Sequence, residues 1–209
     1  MLLVIDRTFP SPEQNLAFDD DLLKAGRATL RFWESPIHFV VLGRSGRPEK
    51  EVNLGACRAA GIPVLHRSSG GGTVLQGPGC LNYALVLPLA GCPGLANVGA
   101  SYQILLRQIA GALRLPGLEV CGTDILLDGR KVSGNAQRRT KGWLLHHGTI
   151  LHGLDLQLME RLLLEPARQP AHRRGRPHRE FVAPLDVDAN QLKSRMASLS
   201  KDPAWRFLY

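Results

Sequence analysis

The chain has 209 residues, 44% hydrophobic and 21% charged, a balance that excludes wholesale disorder and supplies enough apolar material for one core. It carries 26 Lys and Arg against 18 Asp and Glu, a formal charge of +8 that is compatible with nucleic acid, an acidic protein partner or a phosphate-bearing ligand and selects none of them. Cys57, Cys80, Cys92 and Cys121 match no Cys-x-x-Cys or other zinc spacing, and no stretch approaches the roughly 20 apolar residues that span a bilayer. The expectation is a cytoplasmic, single-domain chain over residues 1–209 with reduced thiols and no leader.

In chain order, residues 2–5 read as a strand. A helix follows from Ser11-Pro12-Glu13, with Ser at the cap and Pro just inside it, burying Leu16, Ala17, Leu22 and Leu23 and ending near Gly26. Residues 29–33 and 38–42 read as short strands, and Gly43-Arg44-Ser45-Gly46-Arg47 as a basic turn. A helix over 54–60, stopped by Gly61, precedes a strand over 62–65.

Next comes His66-Arg67-Ser68-Ser69-Gly70-Gly71-Gly72. Three consecutive glycines after a strand free the backbone N–H groups to close on a phosphate or carboxylate, with Arg67 near enough to supply charge. A merely flexible glycine loop is the alternative. No Gly-x-x-x-x-Gly-Lys pattern occurs, so this is not a Walker loop. A strand over 83–87 follows. Apolar residues at 98, 102, 105, 109 and 113 then have a helical period and read as core.

Asp128-Gly129, between an apolar run and a mixed one, is the signal for a two-residue type I′ hairpin. Counting outward pairs Leu127 with Arg130, Leu126 with Lys131, Ile125 with Val132 and Asp124 with Ser133. Lys131, Ser133, Asp124 and Leu126 then share one face. Lys131 on a rigid strand, with Asp124 diagonally across and Gly134 beyond, is a candidate fixed charge for an anionic substrate; an ordinary exposed lysine is the alternative.

Residues 143–151 read as a strand pairing with the second arm of the hairpin, so His146 and His147 point to opposite faces and cannot chelate one metal together. A helix over 154–164 leads to a segment with Arg168, Arg173, Arg174, Arg176 and Arg179, read either as a solvated loop or as a docking surface for an acidic partner. A helix over 189–199 precedes an apolar tail, residues 205–209, expected to pack back onto the body.

Four motifs in this order resemble the lipoate–protein ligase family. They are the His66-to-Gly72 run, Gly129-Arg130-Lys131-Val132-Ser133-Gly134-Asn135-Ala136, His146-His147-Gly148-Thr149-Ile150-Leu151, and Glu13-Gln14-Asn15-Leu16-Ala17 in the first helix. The resemblance covers about residues 10 to 180. It implies an α/β (α+β) fold of the biotin and lipoate ligase type, a bent, mainly antiparallel mixed sheet flanked by helices.

The implied reaction uses ATP, with Mg²⁺, to convert lipoate to lipoyl-AMP. The lipoyl group then passes to a lysine of lipoyl-domain proteins, such as 2-oxoacid dehydrogenase acyltransferase subunits, or of glycine-cleavage H protein. Lys131 would be catalytic. Arg67, Ser69, Gly70, Gly71, Gly72, Gln76, Asn82, Asp124, Ser133, Gly134, Asn135, Ala136, His147, Gly148 and Thr149 would bind substrate or nucleotide, with Asp124 also a candidate Mg²⁺ ligand. Gln76 stands where many members have histidine. Many bacterial members carry a C-terminal accessory domain, which is not expected here, so a separate partner could supply it.

The alternative is a related octanoyl or lipoyl transferase that needs no ATP and holds the acyl group as a thioester, for which Cys121 is the candidate nucleophile. Neither nucleic acid nor membrane is expected as a partner; a nucleic-acid module would leave the glycine run and the lysine hairpin unexplained.

Overall fold

The computed structural model describes residues 2–201. Ten strands form two sheets: β1 (Leu3–Asp6), β2 (Thr29–Trp33), β3 (Phe39–Leu42), β4 (Val64–His66), β5 (Val74–Gln76), β6 (Cys80–Pro88), β7 (Leu118–Cys121), β8 (Asp124–Leu127), β9 (Arg130–Arg139) and β10 (Trp143–Leu151). The large sheet has the order β1-β2-β6-β10-β9-β8-β7 and is antiparallel except for the β1–β2 pair. A small sheet, β4-β3-β5, lies apart from it. The mixed, mainly antiparallel sheet with flanking helices agrees with the expected fold class.

One face of the large sheet is packed by the helices Val98–Leu113 and Ala189–Ala197. Leu105, Leu106, Ile109, Leu192 and Met196 join Leu81, Leu85, Leu144 and Ile150 there in the largest apolar cluster. Burial of that many side chains out of water is the main force holding this layer. The opposite face meets the helix Pro12–Ala25, the small sheet and the helix Leu156–Leu162, whose apolar residues form separate, smaller clusters. A cavity lies on this second face.

Local chemistry sets the boundaries. Ser11 caps its helix with Gln14 in a reciprocal box, Pro12 occupies the first turn, and Gly26 ends it in the left-handed conformation. Its buried stripe differs from expectation: Asn15, Asp19 and Leu23 are buried, Leu16 is half-buried and Ala17 is exposed. The reason lies beneath it, where Arg31 of β2 is fully buried and draws the polar side chains inward. Strands β5 and β7 were not anticipated; both are short and pair only along one edge. The helix over Val98–Leu113 matches its predicted span, although Val98 is exposed. The expected packing of residues 205–209 lies outside the described residues. Among the described residues no helix is long and apolar enough to cross a membrane.

Candidate active site

The hairpin forms with positive φ at both Asp128 and Gly129, as a type I′ turn requires. Leu127–Arg130 and Leu126–Lys131 pair as predicted. Beyond them the register shifts: Ile125 pairs with Ser133 and Asp124 with Gly134, leaving Val132 as the extra residue of a bulge. The segment after Phe181 fills the break, with Ala183 N–H donating to the Lys131 carbonyl at 2.9 Å.

The bulge corrects the predicted facing of Ser133. It no longer shares a face with Lys131; it is fully buried opposite Ile150 and accepts from Asn135 Nδ2 at 3.2 Å. Lys131, Gly134 and Ala136 instead line the cavity.

The Lys131 ammonium lies 2.8 Å from Asp124 Oδ1, with 24% of its side chain exposed against 5% for Asp124. It folds over Gly134, where an added Cβ would meet Nζ at 2.6 Å and Cε at 2.7 Å. Gly134 is therefore the seat of the lysine as well as part of the wall. The second carboxylate oxygen, Oδ2, is 2.9 Å from His172 Nε2. Both oxygens of Asp124 face nitrogen donors, and no group of three or more His, Cys, Asp and Glu among the described residues fits a metal ion. Among the described residues Asp124 thus has Lys131 and His172 as its partners, and no protein-built metal cluster surrounds it.

Arg67 shapes the glycine loop from within. Its guanidinium donates to the carbonyls of Gly70 and Gly72 at 2.7 and 2.8 Å and to Ser69 Oγ at 3.0 Å. Burial, ahead of other influences, pushes its pKa down to about 10, which leaves it charged at neutral pH. Ser69, which accepts from Arg67, lies 2.6 Å from His147 Nε2. Burial, reinforced by Arg67 and His146, pushes His147 down to about 3, so it is neutral at neutral pH. Ser69 and Gly70 thus support the wall from behind, while Arg67, Gly71, Gly72 and His147 line it.

His146, as expected, points the other way. Gln137 Nε2 donates to its Nδ1 at 3.2 Å, and its Nε2 lies 3.4 Å from the Tyr83 hydroxyl. Burial, then Arg139, pushes it down to about 3. Tyr83 in turn donates to Asn135 Oδ1, a contact for which Gly148 leaves room, since a Cβ there would overlap that oxygen. Asn135 also donates to the Thr123 carbonyl at 3.0 Å and so ties the β7–β8 turn to the wall.

The cavity, about 300 Å³, runs along one row of paired residues, Asp124–Gly134–Thr149–Asn82–Trp33, across five strands. Gln76, Asn82, Asn135, Ala136, Gly148 and Thr149 line it as predicted. Its remaining lining is mostly apolar and includes Leu16, Trp33, Leu75, Leu151, Met159 and Phe181. Sequence reasoning missed Asp19, Trp33 and His172. Nothing in their local pattern marks them: Asp19 reaches the site through helix packing, Trp33 through the pairing of β2 with β6, and His172 through the return of a late loop.

That loop is the arginine segment. Arg173 is buried, ion-paired to Glu165 and stacked on Phe181, and Arg176 donates to the Gly129 carbonyl at 2.8 Å. Arg168, Arg174 and Arg179 remain exposed, with Arg168 at the cavity wall and Arg179 ion-paired to Glu160. The segment is therefore partly wall and partly surface. Cys121 does not line the cavity; it is half-buried on β7 and pairs with Asp124.

An apolar cavity with a lysine at one end, a glycine loop beside it and neutral histidine in its wall is suited to holding an acyl chain by its carboxylate. Comparison with known proteins gives the same family. The model of the lipoyl protein ligase A/B catalytic domain matches residues 11–197. The octanoyltransferase LipM of Exiguobacterium sp. is 29% identical over 181 residues, covering 71% of this chain and 65% of that protein. The lipoate-protein ligase LplJ of Bacillus subtilis is 30% identical over 157 residues, covering 72% of this chain and 46% of that protein.

This chain therefore spans between about half and two thirds of the length of these two relatives. Two solved structures share the fold. The bi-partite lipoate protein ligase of Thermoplasma acidophilum, studied with its E2 lipoyl domain, has a TM-score of 0.80 at 22% identity, covering 94% of this chain and 81% of that one. A lipoate-protein ligase A bound with ATP has a TM-score of 0.78 at 23% identity, covering 96% and 83%. The chain belongs to the lipoyl protein ligase A/B catalytic domain family.

Proposed function

We propose that the chain is a single catalytic domain that activates lipoate with ATP to lipoyl-AMP and passes the lipoyl group to a lysine of a lipoyl-domain protein or glycine-cleavage H protein. The observation that carries this reading is the Lys131 ammonium, seated over Gly134 at the polar end of an otherwise apolar cavity and steered by Asp124.

In the first step the lipoate carboxylate attacks the α-phosphate and pyrophosphate leaves. Two anions must approach each other, and a positioned ammonium offsets their repulsion and the charge that builds up between them. Asp124 holds Nζ in place before substrate arrives. The apolar wall excludes water from the mixed anhydride. In the second step the acceptor's amine attacks the acyl carbon and AMP leaves, its phosphate charge stabilised by the same ammonium. Exposed Arg168, Arg174 and Arg179, with the +8 formal charge, favour encounter with an acidic acceptor, and a separate accessory chain is a possible partner in adenylation. Lipoate-dependent exchange of labelled pyrophosphate into ATP tests the first step. The reading expects exchange that Lys131→Ala removes; exchange that is absent, or equal in the variant, contradicts it.

One observation favours a second reading. Cys121 pairs with Asp124 across the β7–β8 turn and so shares a face with the residue that steers Lys131. In that reading its thiolate attacks a carrier thioester, the carrier's thiol leaves, and the acceptor lysine then displaces Cys121. An acyl adduct on Cys121, formed from octanoyl carrier protein without ATP, distinguishes it.

A further inference from the structure

Three carboxylates line the cavity among the described residues, those of Asp19, Glu51 and Asp124. Asp19 is ion-paired to Arg31 and also accepts from Trp33 Nε1, and Asp124 is held between Lys131 and His172. Glu51, the last residue of the short helix Pro48–Glu51, makes no ion pair among the described residues. Its Oε1 accepts from the Arg47 backbone N–H at 2.9 Å and its Oε2 from the Thr73 hydroxyl at 2.5 Å, both neutral donors. Arg67 feels its charge, but the Arg67 guanidinium is bonded to the Gly70 and Gly72 carbonyls instead. The half-buried Glu51 therefore brings to the cavity a carboxylate that no adjoining cation matches.

Its place is the mouth. Gly71, Gly72, Thr123, Leu164, Arg168 and Pro170 both line the cavity and are exposed, so they mark where it opens. Glu51 is tied to two sides of that rim. Thr73, which donates to its carboxylate, follows Gly72, and the Leu164 N–H donates to its carbonyl at 3.0 Å. Lys131 belongs to the same end. A Cβ on Gly71 would lie 3.7 Å from that of Ala136, which follows Gly134, the seat of Lys131, by two residues on β9. A group that reaches the ammonium from outside enters beside Glu51, and Leu164, 42% exposed, offers an apolar rest on the way.

Resting on the acyl-activating function above, we propose that Glu51 receives the acceptor's lysine in the second step. Leu164 carries the aliphatic stem, and the Glu51 carboxylate holds the ammonium and takes a proton from it. The cavity needs such a group. Arg67, Lys131, Arg168 and Arg173 line it, so an entering ammonium meets four like charges, which repel it and favour its neutral form. Once Glu51 has taken one proton, the free amine forms the C–N bond and the acyl C–O bond breaks, its electron pair going to AMP. The surplus proton left on nitrogen passes to water, and Glu51 returns its own proton to water when the product leaves.

The test is single-turnover transfer from preformed lipoyl-AMP bound to the wild type or to Glu51→Gln, with melting temperatures recorded for both. Two acceptors are compared, a lipoyl domain and hydroxylamine, which is already uncharged at neutral pH. Glutamine keeps an acceptor for the Arg47 N–H and can donate to the Thr73 oxygen, so the variant removes the charge and keeps the bridge. It is expected to be about 10²-fold slower toward the lipoyl domain and within about threefold of the wild type toward hydroxylamine. An unchanged rate toward the lipoyl domain, or equal slowing toward both acceptors, overturns the proposal and leaves acyl transfer standing. Should Glu51→Gln fail to fold, Glu51→Asp, which withdraws the carboxylate by one methylene, decides by the same ratio. A wild type that passes the lipoyl group to neither acceptor removes both.

Discussion

Two ion pairs on the same face of the large sheet do opposite jobs. Arg31 and Asp19 are sealed, with 0% and 4% of their side chains exposed, and the arginine also donates to Asn15 and to the Arg7 carbonyl while lying over Phe18 and Trp33. Among the described residues Lys131 and Asp124 pair with each other and with His172, and the ammonium is open to the cavity. A cation sealed from the cavity, with both terminal nitrogens bonded to neighbouring protein groups, is architecture. One that keeps donors directed into a cavity, over a glycine that lets it lie flat, is available to a substrate. The contrast teaches that burial and charge alone do not mark a functional pair; what matters is which hydrogen-bonding directions remain open.

The sharpest way to break the comparison is to remove the sealed cation. Arg31→Leu leaves Asp19 buried and unpaired and is expected to cost about 3–5 kcal/mol of stability, read as a large fall in melting temperature. A variant that melts like the wild type would mean that the pair is not structural. Lys131→Ala should do the reverse, leaving the melting temperature within a few degrees while slowing adenylate formation about 10²- to 10³-fold. Gly134→Ala tests the seat: the added methyl meets Nζ, and displacing the ammonium by about 1 Å is expected to cost up to about 10²-fold in rate with little change in stability. Unchanged activity would show that the lysine does not need that position.

A last expected effect is one of pH. His146 titrates in the unfolded chain near 6.5 and in the folded protein near 3, so the unfolded state takes up its proton first. As pH falls from 6.5 toward 3, this residue removes about 1.4 kcal/mol of stability per pH unit. His147 shifts in the same way, so chemical denaturation at several pH values should show about twice that slope, and the non-titrating His146→Asn should remove about half of it. An equal slope in the variant would assign the acid sensitivity elsewhere.

How much of this was legible in the sequence follows from how local each signal is. Asp128-Gly129 dictates its turn through φ values that few other residues accept, and the Ser11-Pro12 helix start is equally local. The lysine and histidine motifs brought Lys131, Asp124, Gly134 and His147 to one cavity. The bulge at Val132 escaped, because register beyond a turn depends on what packs alongside, here the return of residues 181–185. Asp19 escaped for a related reason. It looks like an exposed helix residue until the strand beneath it is known to carry a buried arginine. His172 reaches Asp124 across a loop whose path no short pattern encodes.

The measurement that bears most directly on the central claim is intact mass spectrometry of a lipoyl domain incubated with the protein, lipoate and Mg²⁺, with and without ATP, beside Lys131→Ala and Cys121→Ser. The account predicts lipoylation that requires ATP, disappears in Lys131→Ala and persists in Cys121→Ser. Transfer from octanoyl carrier protein without ATP, abolished by Cys121→Ser and accompanied by no ATP-dependent lipoylation, would contradict it.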